Sequence, residues 1–300
     1  VPEIAVIGSL NLDTTVRVPL LPVPGETVLG SGHFDDTGGK GANQAVAAAR
    51  LGREVAMVGM VGDDDAGARL LAALDHDGVD VRAVGRGGAP TGIAVITVDE
   101  SGENTIVVDP GANGAFHPSD LAGAAGVVGS ATIVLLQLEI PLDTVAAAIA
   151  TATGTVVLNP APAADLPRDL LGEVDVLVPN ATELAALAGS VVPASPAEAI
   201  EAASGLDGPG AVVVTLGASG AVVVGPGVRL HVPAPSITAV DPTAAGDAFC
   251  GGLADALVRG ESLSDAVRWA VRCGATAATR WGAQASLPTR DEVLTMRDAS

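Results

Sequence analysis

Short runs of aliphatic and β-branched residues alternate along this chain with alanine-rich stretches of helical spacing. Residues 4–7, 55–61, 133–137, 156–159, 176–179 and 212–215 are nearly uninterrupted apolar runs of strand length, the pattern of strands covered on both faces. Between them, residues 42–51, 66–77, 142–152 and 181–188 have helical spacing, and residues 248–259 form a late amphipathic run. The alternation predicts an α/β fold with three α/β/α layers and a mostly parallel central sheet. Ligands of such folds bind beyond the carboxyl ends of the strands. Two segments, 12–36 and 92–110, break the rhythm. Strand-like pieces there meet Pro22, Pro24, Gly25, Asp99 and Gly102 with no helix between them, which predicts a small β-sheet lid within a single domain spanning residues 1–300.

Charge narrows the partners. Against 35 acidic residues stand 15 basic ones, a net charge of −20 and a pI near 4.3. Such a surface repels nucleic acid and anionic membranes. A nucleotide is repelled at long range too, so a nucleotide site needs a local positive field from helix starts, Mg²⁺ and a few arginines. Cys250 and Cys273 belong to no CxxC pattern, and His33, His76, His117 and His231 are scattered without ligand spacing; neither disulfide nor zinc is predicted. The long uncharged stretches are broken by Gly, Pro, Asn or Gln into strand-length runs, which are not spans. The expectation is a soluble, cytoplasmic protein.

Candidate chemistry lies in two places. Asp241-Pro242-Thr243-Ala244-Ala245-Gly246-Asp247 leads directly into the run 248–259, so an acid lies at the mouth of a helix. Unpaired N–H groups and the positive end of the helix dipole meet an anion there, and small residues permit close approach. A lone Asp at a helix start is more often a cap. The other place is Lys40, the single lysine of the chain, in Gly38-Gly39-Lys40-Gly41-Ala42-Asn43. Where every other cation is Arg, one ammonium in a glycine loop suggests a site that wants a point charge; the bland alternative is a solvated lysine in a turn. The loop is no Walker A site, because Phe34 and Gly41 occupy positions that demand Gly and Ser/Thr, and Gly8-Ser9-Leu10-Asn11 is no dinucleotide fingerprint. Asn11 and Asp13 follow the first strand, Lys40 and Asn43 open the first helix, Glu139 follows residues 133–137 and Asp247 opens a late helix. All therefore fall on one rim of the sheet, a dense set of partners for a polyhydroxylated molecule.

These segments resemble the ribokinase-like (PfkB) carbohydrate kinase family over essentially the whole chain. Gly38 to Ala45 and Asp241 to Asp247 look like its two signatures, in order and about two hundred residues apart; Asn159-Pro160-Ala161-Pro162 and Asn180-Ala181-Thr182-Glu183 are also similar. The resemblance implies that Asn11, Asp13, Gly39, Lys40, Asn43 and Glu139 hold the hydroxyls of a sugar. Asp247 would accept the proton of its primary hydroxyl, and Ala244, Ala245 and Gly246 would form an anion hole. By the same resemblance Asn180 and Glu183 organise Mg²⁺ and its waters, while Thr215, Gly217, Ala218, Ser219 and Gly220, with Gly246, hold ATP. Asp241, Thr243, Ala277, Arg280, Gly282 and Ser286 would surround a monovalent cation, K⁺. The chain departs from the family in Pro242, where relatives often have Thr, in Cys250, where Asn is frequent, and in bulky Trp281 within the cation segment.

Within such a family the first lid segment offers one cation, Arg17, and the second none, which argues against an already phosphorylated sugar. Nucleoside kinases stack a base on lid aromatics, and Phe34 is the one aromatic here, with no Tyr in the chain. The resemblance therefore implies transfer from ATP to D-ribose at O5 by a homodimer paired through its lids. The alternatives are another pentose, a nucleoside sandwiched by Ile96 and Ile106, or a non-catalytic sugar sensor on the same fold.

Overall fold

A computed structural model describes residues 1–296. Its strands are β1 (Ile4–Ile7), β2 (Asn11–Arg17), β3 (Gly32–Gly38), β4 (Val55–Val61), β5 (Asp80–Arg86), β6 (Gly92–Val98), β7 (Asn104–Asp109), β8 (Ile133–Leu136), β9 (Thr155–Leu158), β10 (Val176–Leu177), β11 (Ala211–Thr215), β12 (Ala221–Gly225) and β13 (Val228–Val232). The helices are α1 (Lys40–Arg50), α2 (Asp65–His76), α3 (Pro118–Leu121), α4 (Ala125–Ser130), α5 (Leu142–Thr151), α6 (Arg168–Gly172), α7 (Ala181–Ala188), α8 (Pro196–Ser204), α9 (Ala245–Val258), α10 (Leu263–Ala277) and α11 (Arg290–Thr295).

Among the described residues, nine strands form one sheet in the order β13-β12-β11-β10-β9-β8-β1-β4-β5. Pairing is parallel from β11 to β5 and antiparallel at the β11-β12-β13 edge. Strand β1 lies between β4 and β8, so the chain turns one way and later the other about β1. That reversal places the segments after β1 and β8 at the crevice where open α/β sheets bind ligands. The side chains of β1 alternate between two cores. Ile4 and Val6 pack with residues of α1, α2, α9 and α10 on one face; Ala5 and Ile7 pack with residues of α3 to α5 on the other. The sheet is thus covered on both sides, as its unbroken apolar strands require.

The lid segments form a second sheet, β3-β2-β6-β7, in which β2 and β6 run parallel and both outer pairs antiparallel. Asn11 and Asp13 follow β1 and belong to β2, the first lid strand, where Asn11 pairs with Gly38 and Gly92. Backbone pairing therefore fixes the base of the lid to the start of α1. The far edge is exposed, with Ile106, Val107 and Val108 facing solvent.

Two glycines determine how the late helix sits. A Cβ on Gly251 would lie 2.6 Å from the Ala47 Cβ, and one on Gly252 would lie 2.7 Å from the Cys273 sulfur. Helix α9 is therefore in backbone-close contact with α1 on one side and α10 on the other. Asp247 precedes Gly251 by one turn and Asn43 precedes Ala47 by one turn, so the same contact brings their side chains together.

Candidate active site

The glycines before α1 are dictated by what crowds them. Gly38 lies under the carboxylate of Asp13, whose Oδ2 would be 2.1 Å from a Cβ there. Gly39 has φ 91° and its missing side chain would strike Asn11 N and Ser9 O at 2.8 Å, so both conformation and space demand glycine. Gly41 rides on the backbone of Gly8 and Ser9, at 2.7 Å from a Cβ. Lys40 is the first residue of α1, whose N-cap, Gly39, has no side chain to cap it. Glu139 takes the Lys40 N–H at 3.1 Å and the Ser9 hydroxyl at 2.5 Å, which fixes its carboxylate at the helix mouth.

Asp247 lies at the third position of α9, buried at 8 % exposure, and it does not cap the helix. Its two oxygens accept from α1 instead: Asn43 Nδ2 donates to Oδ2 and Gln44 Nε2 to Oδ1, both at 3.0 Å. The side-chain oxygen of Asn43, Oδ1, is buried without a partner and is a free acceptor. Burial raises the pKa of Asp247 against the lowering effects of the Lys40 ammonium and the two amides, and Glu139 adds to the rise. For Lys40 burial opposes the charge, but Asp247, Glu139 and Glu183 outweigh it and its pKa rises. The single lysine is therefore a charged group shared among acids, not a solvated turn residue. Asp13 is pushed up to about 7, by burial first and then by Glu139, Asp36 and Asp247, with Lys40 opposing. Four predicted residues, Asp13, Lys40, Glu139 and Asp247, thus feel one another's charge.

The start of α9 has no side-chain cap. Its N-cap, Ala244, has φ 57°, the one non-glycine residue with positive φ among the described residues, and it supplies no side-chain hydrogen bond. A left-handed alanine costs about 1 kcal/mol relative to glycine. Asp247 is buried while Gly246 just before it is exposed, so backbone faces solvent where the acid does not. The N–H of Ala245 is the exception, since it donates to Pro242 O at 3.1 Å and closes the turn.

Beyond α9 lie the candidate nucleotide and metal groups. Asn180 and Glu183 form a reciprocal cap of α7: Asn180 Oδ1 accepts from Glu183 N, and Glu183 accepts from Asn180 N and Nδ2, each at 2.8 Å. Glu183 is buried and its pKa is raised, by burial first, with the Asn180 amide and Lys40 opposing. An open cavity of about 340 Å³ runs beside this cap, lined by Thr182, Ser195, Thr215, Leu216, Gly217 and Ser219 among others. The loop Gly217–Ser219 is a 3-10 turn, and Gly220 packs against Val232 O, 2.0 Å from a Cβ. Of the predicted nucleotide loop, Thr215, Gly217 and Ser219 line this cleft together with Asn180, and Ala218 and Gly220 do not. Asp241 joins the two halves of the predicted cation site, accepting from Thr243 N at 2.9 Å and Gly282 N at 3.0 Å. Of the other residues there, Arg280 turns its guanidinium to Glu292 at 2.9 Å, its backbone N–H donates to Ala277 O, and buried Ser286 donates to Ala283 O. Trp281 is 75 % exposed and stands clear of the loop interior.

Comparison with known proteins follows the same line. The model of the pfkB family carbohydrate kinases matches residues 1–290. The chain belongs to this family. It is 40 % identical to the ribokinase of Haemophilus influenzae, over 97 % of each chain. It is 36 % identical to a deoxyribokinase of Salmonella typhimurium, over 97 % of each. The crystal structure of Arabidopsis thaliana ribokinase with ribose and ATP superposes with a TM-score of 0.90 at 34 % identity, covering 98 % of this chain and 97 % of that one.

As a pfkB-family carbohydrate kinase the chain contains several site groups that its sequence did not mark. Gln44, Gln137 and Asn159 connect to Asp247 through buried amides. Asn113 donates to Asn11 Oδ1 at 2.7 Å while its own oxygen takes Leu10 N at 2.9 Å. Asn11 is thereby left to present its amino group as a donor. Thr37 donates to Gln284 Oε1 at 2.5 Å, tying the base of the lid to the cation segment. Lone amides carry no spacing signal.

Proposed function

We propose that this protein transfers the terminal phosphoryl group of ATP to O5 of D-ribose, giving D-ribose 5-phosphate and ADP. The observation that carries the reading is the buried Asp247 carboxylate at an uncapped helix start, held by α1 amides next to Lys40. Asn11, Asp13, Gly39, Lys40, Asn43 and Glu139 bind the sugar hydroxyls. Asp247 takes the proton of the primary hydroxyl as its oxygen attacks the γ-phosphorus and ADP leaves. Phosphoryl transfer needs chiefly alignment and stabilisation of spreading negative charge; of the Ala244, Ala245 and Gly246 segment, the Ala244 and Gly246 N–H groups supply it, while the Ala245 N–H closes the turn on Pro242 O.

ATP lies along Thr215, Gly217, Ala218, Ser219 and Gly220 with Gly246 at its phosphates. Mg²⁺ arriving with ATP offsets phosphate charge when bound, and Asn180 and Glu183 hold its waters. Mg²⁺ keeps much of its hydration, and a carboxylate already engaged by a cap fits an outer-sphere role. A K⁺ ion suits the segment around Asp241, Thr243, Ala277, Arg280, Gly282 and Ser286, because Asp241 ties its halves together and Trp281 leaves it open. We take residues 1–300 as one kinase domain with a lid from 12–36 and 92–110. Two copies pair through the exposed lid residues Ile106, Val107 and Val108 in a cytoplasmic homodimer, a setting consistent with two buried free thiols.

Deoxyribose is the second reading, favoured by the similarity to a deoxyribokinase. Turnover of ribose, deoxyribose, other pentoses, hexoses and nucleosides with MgATP, with and without K⁺, tests both. Ribose should give the highest kcat/KM, and a nucleoside preferred over every pentose would overturn the proposal.

A further inference from the structure

Behind the acid lies a chain of neutral amides that catalysis by Asp247 alone does not explain. Gln137 follows β8, Gln44 is on α1 and Asn159 follows β9; Gln44 and Gln137 are completely buried. Gln137 Nε2 donates to Gln44 Oε1 at 2.6 Å. The two hydrogens of Gln44 Nε2 then go to Asp247 Oδ1 at 3.0 Å and to Asn159 Oδ1 at 3.2 Å. Asn159 cannot reverse its own amide cheaply, because its Nδ2 donates to Val178 O at 2.9 Å. Gln44 is therefore held the right way round from the Asp247 and Asn159 end: flipped, its oxygen would face a carboxylate and an amide oxygen, while Gln137, whose own oxygen is buried without a partner, occupies the Gln44 oxygen with its amino group. Gly8 completes the device, since a Cβ there would lie 2.0 Å from Gln137 Oε1.

Burying two amides completely, and a third in part, between a sheet and a helix is costly where aliphatic side chains would pack as well. The arrangement makes sense if its purpose is the carboxylate at its end. We propose that Gln44, locked by Gln137 and Asn159, is a positioning residue that aims Asp247 at the acceptor hydroxyl and holds it as a base. The inference rests on the kinase reading above and adds to it a relay reaching from β8 and β9 to the reacting acid. Asn43 holds the other oxygen, so the two donors set the plane of the carboxylate and leave its remaining lone pairs for the incoming O–H. The charged and titratable groups facing Asp247 are Lys40 from α1, Glu139 after β8, Asp13 on β2 and Cys250 one turn along α9. Of these, Lys40 favours the carboxylate and Glu139 opposes it. Removing a neutral donor leaves all of them in place.

The test is the pH dependence of kcat for ribose in Gln44→Met and Gln137→Met. Gln44→Met should lower kcat roughly 10- to 100-fold, the effect of a lost hydrogen bond to a charged group, with ribose KM changed less than about threefold. The acidic limb of kcat should move up by about one pH unit as the carboxylate loses a donor. Gln137→Met, which touches neither Asp247 nor a sugar residue, should shift the limb in the same direction by less. Should Gln44→Met fail to fold, the limb in Gln137→Met decides. An unmoved limb in folded variants that lose only thermal stability would overturn the relay. Turnover of ribose by the wild type in the same assay tests the kinase reading separately, so a null result in an active background counts against the relay alone.

Discussion

Helices α9 and α10 pack against each other and both carry an aspartate at the third position, yet the two starts do opposite things. Ser262 before α10 accepts from Asp265 N at 3.2 Å and donates to the Asp265 carboxylate at 2.7 Å, a closed local cap. Before α9 the equivalent residue is Ala244, which has nothing to offer, and Asp247 turns across to α1. The same relation between a cap and an acid three residues on recurs at Asn180 and Glu183 and at Thr289 and Glu292. An acid at a helix start is thus usually absorbed by its own cap. Where the cap is withheld, as at Ala244, the acid is left to bond across to another helix.

The comparison breaks most sharply at the two acids themselves. Asp247→Asn should lower kcat by roughly 10²–10⁴ or more, the contribution of a positioned base, while ribose still binds by calorimetry. Asp265→Asn should leave kcat within about twofold; equal losses in the two variants would refute the distinction. Next in size is Lys40→Ala, which removes a charge from the sugar side and should weaken ribose binding roughly 10- to 100-fold, measured as Kd. At the caps, Ala244→Val forces a branched side chain into left-handed backbone and should cost about 1–3 kcal/mol together with a fall in kcat. Ser262→Ala should cost about 1 kcal/mol of stability with kcat intact, both read from denaturant unfolding and turnover.

The smallest effect concerns pH. Asp13, at about 7, holds a proton in the folded protein that the unfolded chain releases near 3.8. The native state therefore binds more protons between those values, and stability should fall as pH rises through that window, by at most about 1.4 kcal/mol per unit. Sugar binding should move the opposite way, because hydroxyl donors prefer the carboxylate: ribose KM should rise a few-fold from pH 8 to pH 6. Asp13→Asn should flatten both slopes, and unchanged slopes in that variant would remove Asp13 as their source.

The central strands and first helix were legible because both faces of the sheet are covered, which writes long apolar runs into the sequence. Strand β5 was not, since it is an edge strand with polar residues such as Asp80 and Arg82, and the β12-β13 hairpin hid its turn in Gly225-Pro226-Gly227. In the site, Lys40 and Asp247 were marked by rarity and by position at helix starts. Whether Asp247 capped or catalysed depended on Ala244, whose left-handed backbone no composition reveals. Gln44 and Asn159 lie in segments that the sequence marks, but with Gln137 they come from three separate elements and meet only when the sheet is assembled, so no local pattern announces their contact.

The solitary ammonium has a practical corollary. Among these 300 residues no other side chain is an amine, so reagents that acylate lysines have a single side-chain target. Because Lys40 is surrounded by acids that keep it protonated, modification should be slow and should accelerate at alkaline pH. It should abolish turnover in step with the label incorporated there, and bound pentose should shield it. Arginine-rich, nearly lysine-free composition thus turns an ordinary labelling reaction into a titration of the sugar pocket.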